Sequence, residues 1–144
     1  MGQQQILLVI IVTIIVSIAT VAALNTFLSF SETINVDAMR DDISKIALAA
    51  QGYYYKPDML SGGGNSFEDF SFENLSLPGF EQPEDGGRTI ASENGTYSVI
   101  QSDSDELVIE AIPSGANDQV YTAVIQPDNF EVQEGEMGQR VEDE

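Results

Sequence analysis

Hydrophobic positions dominate the beginning of the chain, where residues 1–31 contain no charged side chain. Within this stretch, residues 6–24 are apolar apart from Thr13, Ser17 and Thr20. In an α-helix this run would rise about 28 Å, close to the thickness of the hydrocarbon core of a bilayer. The pattern therefore predicts a helix that crosses a membrane or lies in an equally apolar environment.

The helical pattern continues after residue 31, but polar positions now interrupt the apolar ones. Apolar residues recur at intervals of three and four from Val36 to Tyr53, which is the spacing of one helix face. Polar residues, Asp42 among them, are expected on the other faces. We expect six residues of the apolar face to pack against the rest of the domain: Val36, Met39, Ile43, Ile46, Ala50 and Tyr53.

The limits of this helix follow from its helix-breaking residues. No Pro or Gly occurs in residues 3–51, whereas Pro57 disfavours helical geometry in the residue before it. Asp41 and Lys45 have the spacing of a favourable i,i+4 ion pair. We therefore predict one helix with an apolar half, residues 1–30, and an amphipathic half, residues 31–56.

Residues 57–87 have a different composition, rich in Gly, Ser, Asn, Phe and acidic residues. The triplet Gly62-Gly63-Gly64 has no reason to be helical. Six large apolar residues are too many for a free linker: Phe67, Phe70, Phe72, Leu75, Leu77 and Phe80. We predict an ordered loop that holds these side chains against the helix, with a short strand around residues 70–75.

Residues 88–134 predict an antiparallel β-meander. Asn94-Gly95, between TIASE and TYSVI, is a strong signal for a two-residue hairpin turn in which both central residues have positive φ. Turn-rich sequences separate three further expected strands, at residues 106–112, 119–126 and 130–133. The predicted fold class is α+β: the long N-terminal helix packs on a small antiparallel sheet of four or five strands.

Charge is distributed as unevenly as hydrophobicity. The chain has 24 Asp and Glu residues against five Lys and Arg, and its net charge of -19 lies wholly in residues 32–144. Such a surface offers no basic patch for nucleic acid and is disfavoured beside anionic lipid headgroups. We therefore expect the charged part, with an acidic tail at residues 135–144, to lie outside the membrane.

The composition also removes most catalytic chemistry. The chain has no Cys and no His, so disulfides, thiolate sites and the usual general base and zinc ligand are excluded. Acidic clusters supply calcium candidates at Asp103, Asp105, Asp118 and Asp128, but Asp is also an ordinary turn residue. We expect no enzymatic activity, no cofactor and no dedicated metal site.

Three interpretations of the hydrophobic segment are open. A cleaved secretory signal is one, although the segment lacks a basic n-region and exceeds the usual apolar length. A plain single-pass anchor is the second. The third is a helix that packs against copies of itself, since small residues allow close approach: Ser17, Ala19, Ala22 and Ala23. An anchor has no need of the amphipathic extension, so the third interpretation is preferred.

The layout as a whole resembles that of a type IV pilin, in which an apolar N-terminal helix continues into an amphipathic half, a loop and an antiparallel sheet. The run AAQGYYYKPDMLSGGGNSF at residues 49–67, with the start GQQQILL, is also similar to short bacterial pilin-like envelope proteins. In that family the apolar halves bundle into a filament core, and the sheets cover its outside.

The resemblance implies a processing site and a set of partners. Cleavage after Gly2 would make Gln3 the new N-terminus, which pilins methylate. The precursor would wait in the cytoplasmic membrane, its N-terminus cytoplasmic and its acidic domain outside, until pilus assembly machinery adds it to a homopolymer at the cell surface. If Met1 is instead the mature start, position five is the uncharged Gln5; in both cases the chain lacks the glutamate usual there, as well as the helix proline and paired cysteines of many pilins.

The sequence therefore predicts a structural subunit of an extracellular type IV pilus-like filament that does not bind nucleic acid directly. The expected filament core comprises Ile6, Val9, Thr13, Ile14, Ser17, Val21, Leu24 and Phe27. Two alternatives remain: a pseudopilin of a secretion system, and a monomeric single-pass envelope protein whose β-domain binds a partner.

Overall fold

The structure is a computed structural model that describes residues 2–115 and 119–136. This part of the chain has an α+β layout with one long N-terminal helix and a small antiparallel sheet of five strands. The chain divides into two compact units, residues 1–34 and residues 35–144.

Helix α1 runs from Gly2 to Tyr55, so it belongs to both units. In the first unit, every residue from Gly2 to Phe30 is exposed. This half of the helix therefore forms without a hydrophobic core of its own.

The amphipathic half of α1 forms one wall of the core of the second unit. Seven apolar or aromatic residues of this half are buried: Met39, Ile43, Ile46, Ala47, Ala50, Tyr53 and Tyr54. Val36 is half-buried against the same cluster. The six residues expected to pack against the domain thus all lie in or against this core.

The sheet is an antiparallel meander in the order β1-β2-β3-β4-β5. Its strands are β1 Thr89–Ser92, β2 Gly95–Ser102, β3 Leu107–Pro113, β4 Gln119–Ile125 and β5 Phe130–Glu136. Burial alternates along β3, where Leu107, Ile109 and Ala111 enter the core and the residues between them are half-exposed. The predicted meander is therefore present, and it has five strands where four or five were expected.

Strand β5 extends beyond its predicted end. Gly135 and Glu136, the first two residues of the predicted acidic tail, pair with Val120 and Gln119 of β4. Residues 137–144 of the predicted tail lie outside the described residues.

The loop between α1 and β1 contributes aromatic side chains to the core. Phe67, Phe70 and Phe72 are buried, and the Phe70 ring meets Tyr53 of α1 edge-on at a centroid distance of 5.5 Å. The predicted packing of this loop against the helix is therefore observed.

The short strand predicted around residues 70–75 is wrong, because Phe72–Asn74 form a 3-10 helix. The Ser71 side chain accepts a hydrogen bond from the backbone N–H of Glu73 at the start of this helix. Such local side-chain bonds give the backbone an alternative to pairing with a strand.

The first hairpin is also built differently from the prediction. Ser92 pairs with Gly95, so the two-residue turn is Glu93-Asn94, and none of these residues has a positive φ. Gly95 meets another requirement: a Cβ there would lie 2.5 Å from the carbonyl oxygen of Ile112 in β3. The glycine is needed for close approach of two strands rather than for turn conformation.

We predict opposite effects for two glycine substitutions. Gly95→Ala forces β2 away from β3 and lowers the free energy of unfolding by about 1–3 kcal/mol. Gly52→Ala, in α1 with no atom within 4 Å of its Cβ position, raises it by up to about 1 kcal/mol, because Ala favours the helix. Denaturant unfolding of the detergent-solubilised chain measures both, and equal effects would contradict the assignment.

Candidate functional site

The apolar half of α1 is the first candidate surface. The eight residues expected in a filament core are all exposed: Ile6, Val9, Thr13, Ile14, Ser17, Val21, Leu24 and Phe27. Gly2 and Gln3, the predicted processing residues, are exposed and helical. A contiguous apolar surface of this extent is typical of segments that contact a membrane or another protein.

Three hydroxyl side chains of the apolar run are hydrogen-bonded within the helix itself. The hydroxyls of Thr13, Ser17 and Thr20 each donate to the carbonyl oxygen four residues earlier, at 2.7, 2.7 and 2.8 Å. Hydroxyl groups bonded in this way need no water. The helix can therefore enter a fully apolar environment although these three positions are polar.

By its length and composition, α1 is able to cross a membrane, and no residue of its most apolar window is buried. A signal sequence near an N-terminus has the same two properties. This observation alone therefore does not separate an anchor, a signal and an assembly helix.

A buried carboxylate on α1 holds the first hairpin of the sheet. Asp42 is only 3% exposed. Its Oδ2 accepts hydrogen bonds from the Ser92 hydroxyl at 2.6 Å, the Asn94 side-chain amide at 2.8 Å and the Tyr97 hydroxyl at 3.1 Å. Its Oδ1 accepts one from the Lys45 ammonium at 3.1 Å. Asp42 was expected on the polar face, and this expectation is wrong because the β1–β2 turn covers it.

These four donors decide the charge state of Asp42. Burial alone would raise the pKa of the carboxyl group, but the hydrogen bonds from Ser92, Asn94, Lys45 and Tyr97 outweigh it and lower the pKa. Burial, with the Asp42 charge, raises the pKa of Tyr97 far above its usual range, so this phenol stays a donor. The only signal for this cluster in the sequence is the position of Asp42, which lies directly beside Ile43 of the apolar helix face.

Three consecutive tyrosines fix the other end of the amphipathic half. The Tyr53 hydroxyl donates to the backbone oxygen of Asp69 at 3.2 Å. The next two hydroxyls donate to carboxylates in turns of the sheet, from Tyr54 to Asp105 at 3.2 Å and from Tyr55 to Asp128 at 2.7 Å. The end of α1 is thereby tied to the loop, the β2–β3 turn and the β4–β5 turn.

The glycine-rich segment caps the same helix end. The last carbonyl groups of a helix lack partners within it. Here the backbone N–H groups of Gly63 and Asn65 donate to the carbonyl oxygens of Tyr53 and Tyr54, both at 2.8 Å. A Cβ on Gly62 would collide with the Lys56 backbone. The motif GYYYKPDMLSGGGN thus encodes a helix terminus and its cap.

The calcium candidates have other partners in the structure. Asp105 and Asp128 accept the tyrosine bonds just described, and the Asp103 carboxylate accepts one from the Gln101 side chain. Asp118 lies outside the described residues. Among residues 2–115 and 119–136, no three acidic side chains are grouped to hold a metal ion.

Comparisons with protein-family models, with curated proteins and with solved structures found no match to this chain. The resemblance to type IV pilins therefore stays a prediction from the sequence, made from the order of the elements, the run at residues 49–67 and the start GQQQILL.

We predict that Asp42→Asn lowers the free energy of unfolding by about 2 kcal/mol, because a neutral amide cannot accept all the bonds directed at a buried carboxylate. The control is Asp41→Asn, since Asp41 lies one residue away with its side chain 75% exposed, 3.6 Å from the Lys45 ammonium. That change should cost less than about 0.5 kcal/mol. Equal losses in chemical denaturation would contradict a special role for Asp42.

The lowered pKa of Asp42 also predicts a pH dependence. Its stabilisation is fully present above the pKa of an unfolded aspartate, about 3.9, and is lost as pH falls through the lower folded pKa. The stability difference between the unmodified chain and Asp42→Asn should therefore be constant near neutrality and shrink in acid below about pH 4. Unfolding of both proteins across this range measures it, and a constant difference would show that folding does not lower the pKa of this carboxyl group.

Proposed function

We propose that this chain is a structural subunit of a type IV pilus-like filament, assembled through the apolar half of α1. The observation that carries the proposal is the contrast between two halves of one helix. Residues 2–30 expose apolar side chains without any core, whereas the buried face between Met39 and Tyr54 anchors a folded α+β unit.

The exposed apolar half must be covered, and the hydrophobic effect supplies the driving force. Burial of apolar surface contributes about 25 cal/mol per Å² before ordering costs are subtracted. Isoleucine, leucine and valine side chains in this half are between 48% and 66% exposed. In the proposed function, lipid covers them in the precursor, and copies of the same helix cover them in the filament.

One feature favours copies of the helix over lipid as the final surroundings. Small residues at Ser17, Ala19, Ala22 and Ala23 allow helix backbones to approach closely. The hydroxyls of Thr13 and Ser17 are satisfied internally, which suits burial in lipid and burial between helices equally.

The distribution of charge supports an extracellular location for the second unit. The net charge of -19 lies after residue 31, and such a domain is disfavoured beside anionic lipids. In the proposed precursor, the N-terminus is cytoplasmic and the acidic unit lies outside the cytoplasmic membrane. Repulsion between the acidic units keeps them soluble. In the proposed filament these units face outward.

Two other functions remain as alternatives. A pseudopilin of a secretion system would use the same helix in short assemblies. A monomeric envelope protein would use it as an anchor and bind a partner through its sheet. Electron microscopy of sheared surface material, with mass spectrometry of its N-terminus, distinguishes them, since long filaments of this chain favour the pilin and material found only in membranes favours the anchor.

We predict that Ile14→Asp abolishes filament assembly, because a carboxylate among packed apolar helices costs about 2.5–3.5 kcal/mol or more. Ile100→Asp is the matched control: Ile100 is an isoleucine of β2 with 52% exposure, against 54% for Ile14. The control should form filaments in normal numbers when both variants reach similar levels in the membrane.

Electron microscopy of sheared cells expressing each variant provides the measurement. Normal filaments from the Ile14→Asp strain would count heavily against assembly through α1. Loss of the Ile14→Asp protein from the membrane would point instead to failed insertion, which immunoblotting of membrane fractions detects.

A further inference from the structure

The turn of the first hairpin carries a chemically labile pair of residues. Asn94 is followed by Gly95, and no other asparagine of the chain is followed by glycine. Because glycine has no side chain, its backbone nitrogen is unshielded. That nitrogen can attack the side-chain amide carbon of Asn94, a reaction that ends in deamidation of the asparagine.

Deamidation needs only water from outside the chain. A bond forms between the backbone nitrogen of Gly95 and Cγ of Asn94, while the bond from Cγ to Nδ2 breaks. The Nδ2 group leaves as ammonia and takes up the proton of the Gly95 nitrogen. Water then opens the cyclic imide at one of its two carbonyl groups. One product is aspartate, and the other is isoaspartate, in which the backbone runs through the former side chain.

The closed hairpin holds both reacting groups. The side-chain amide of Asn94 donates to Oδ2 of Asp42 at 2.8 Å. The carbonyl oxygen of Asn94 belongs to the same peptide group as the Gly95 nitrogen, and it accepts a hydrogen bond from the backbone N–H of Ser114 at 2.7 Å. An attack of this kind requires a specific alignment of the two groups. Neither group turns freely toward the other while both bonds are made.

The structure makes use of the amide group that deamidation would remove. None of residues 92–95 has a positive φ, so the turn does not need asparagine for its backbone conformation. The half-buried Asn94 instead supplies one of three donors that Oδ2 of Asp42 receives from the hairpin. Loss of the amide therefore removes a contact between the sheet and α1.

We propose that Asn94 is a deamidation site that the closed β1–β2 hairpin keeps unreactive and that reacts when the hairpin opens. Local opening of a hairpin can occur without unfolding of the whole domain. The product carries a carboxylate opposite Asp42, and two carboxylates in one site repel each other. The modified hairpin cannot close as before, so a transient opening becomes permanent. This modification goes beyond the proposed filament and does not depend on assembly.

Peptide mapping by mass spectrometry, with detection of isoaspartate, follows the reaction in the detergent-solubilised full chain at neutral pH. The folded chain should deamidate at Asn94 at least about tenfold more slowly than the chain in denaturant, because the rate is limited by the fraction of open hairpin. Equal rates in the folded and denatured chains would overturn the proposal. Asn65, which is exposed and precedes Ser66, is followed in the same digests as an internal reference.

Asp42→Ala tests whether the opening is local. It removes the acceptor of the Asn94 amide, so deamidation at Asn94 in the folded chain should rise at least about tenfold while Asn65 keeps its rate. The control is Ile46→Ala, one turn further along α1 at a position 1% exposed, which destabilises the core without removing a hydrogen bond from the hairpin. An equal rise at both asparagines in both variants would overturn local opening.

Ser92→Ala serves the same purpose if Asp42→Ala does not fold. The Ser92 hydroxyl donates to Asp42 at 2.6 Å and accepts a hydrogen bond from the backbone N–H of Asn94 at 3.2 Å. Its removal should also raise the rate at Asn94 relative to Asn65. An unchanged ratio of the two rates would contradict protection by the closed hairpin.

The consequence of the modification is tested by comparing Asn94→Asp with Asn94→Ala. Both variants lose the amide donor, but only Asn94→Asp adds a negative charge opposite Asp42. Asn94→Asp should therefore unfold at a lower denaturant concentration than Asn94→Ala at neutral pH. Equal midpoints, or a more stable Asn94→Asp, would overturn the inference that deamidation keeps the hairpin open.

Discussion

The packing of one face of α1 on the five-stranded sheet is the contact on which the second unit depends. Met39, Ile43, Ile46 and Ala47 are at most 1% exposed, and they share one cluster with the inward residues of the strands. A single antiparallel sheet with one uncovered apolar face would not be stable alone. The apolar face of α1 covers this face of the sheet, and the buried aromatic residues of the loop complete the same core.

Polar contacts then fix how the helix and sheet meet at each end. Asp42 gathers three donors from the first hairpin, and the hydroxyls of Tyr53, Tyr54 and Tyr55 reach the loop and two turns of the sheet. Apolar packing is not directional, whereas hydrogen bonds to a buried carboxylate are. These contacts therefore determine register and orientation more than they determine whether the core forms.

The same helix has two halves with opposite requirements, and this contrast organises the proposed function. One half is stabilised by burial within its own chain. The other exposes its apolar residues and bonds the hydroxyls of Thr13 and Ser17 to its own backbone, and in the proposed function lipid and other copies of the helix cover it.

The sequence by itself determined the helix, its division into two halves, the meander and the six packing residues, because these follow from the period of apolar positions and from turn residues. It did not determine the turn at Glu93-Asn94, the 3-10 helix at Phe72–Asn74 or the burial of Asp42. The 3-10 helix begins with a local bond between Ser71 and Glu73, whereas the burial of Asp42 beneath the Glu93-Asn94 turn depends on contacts between residues distant in sequence. Asp42 and Asn94 are 52 positions apart, and only tertiary packing brings such groups within hydrogen-bond distance.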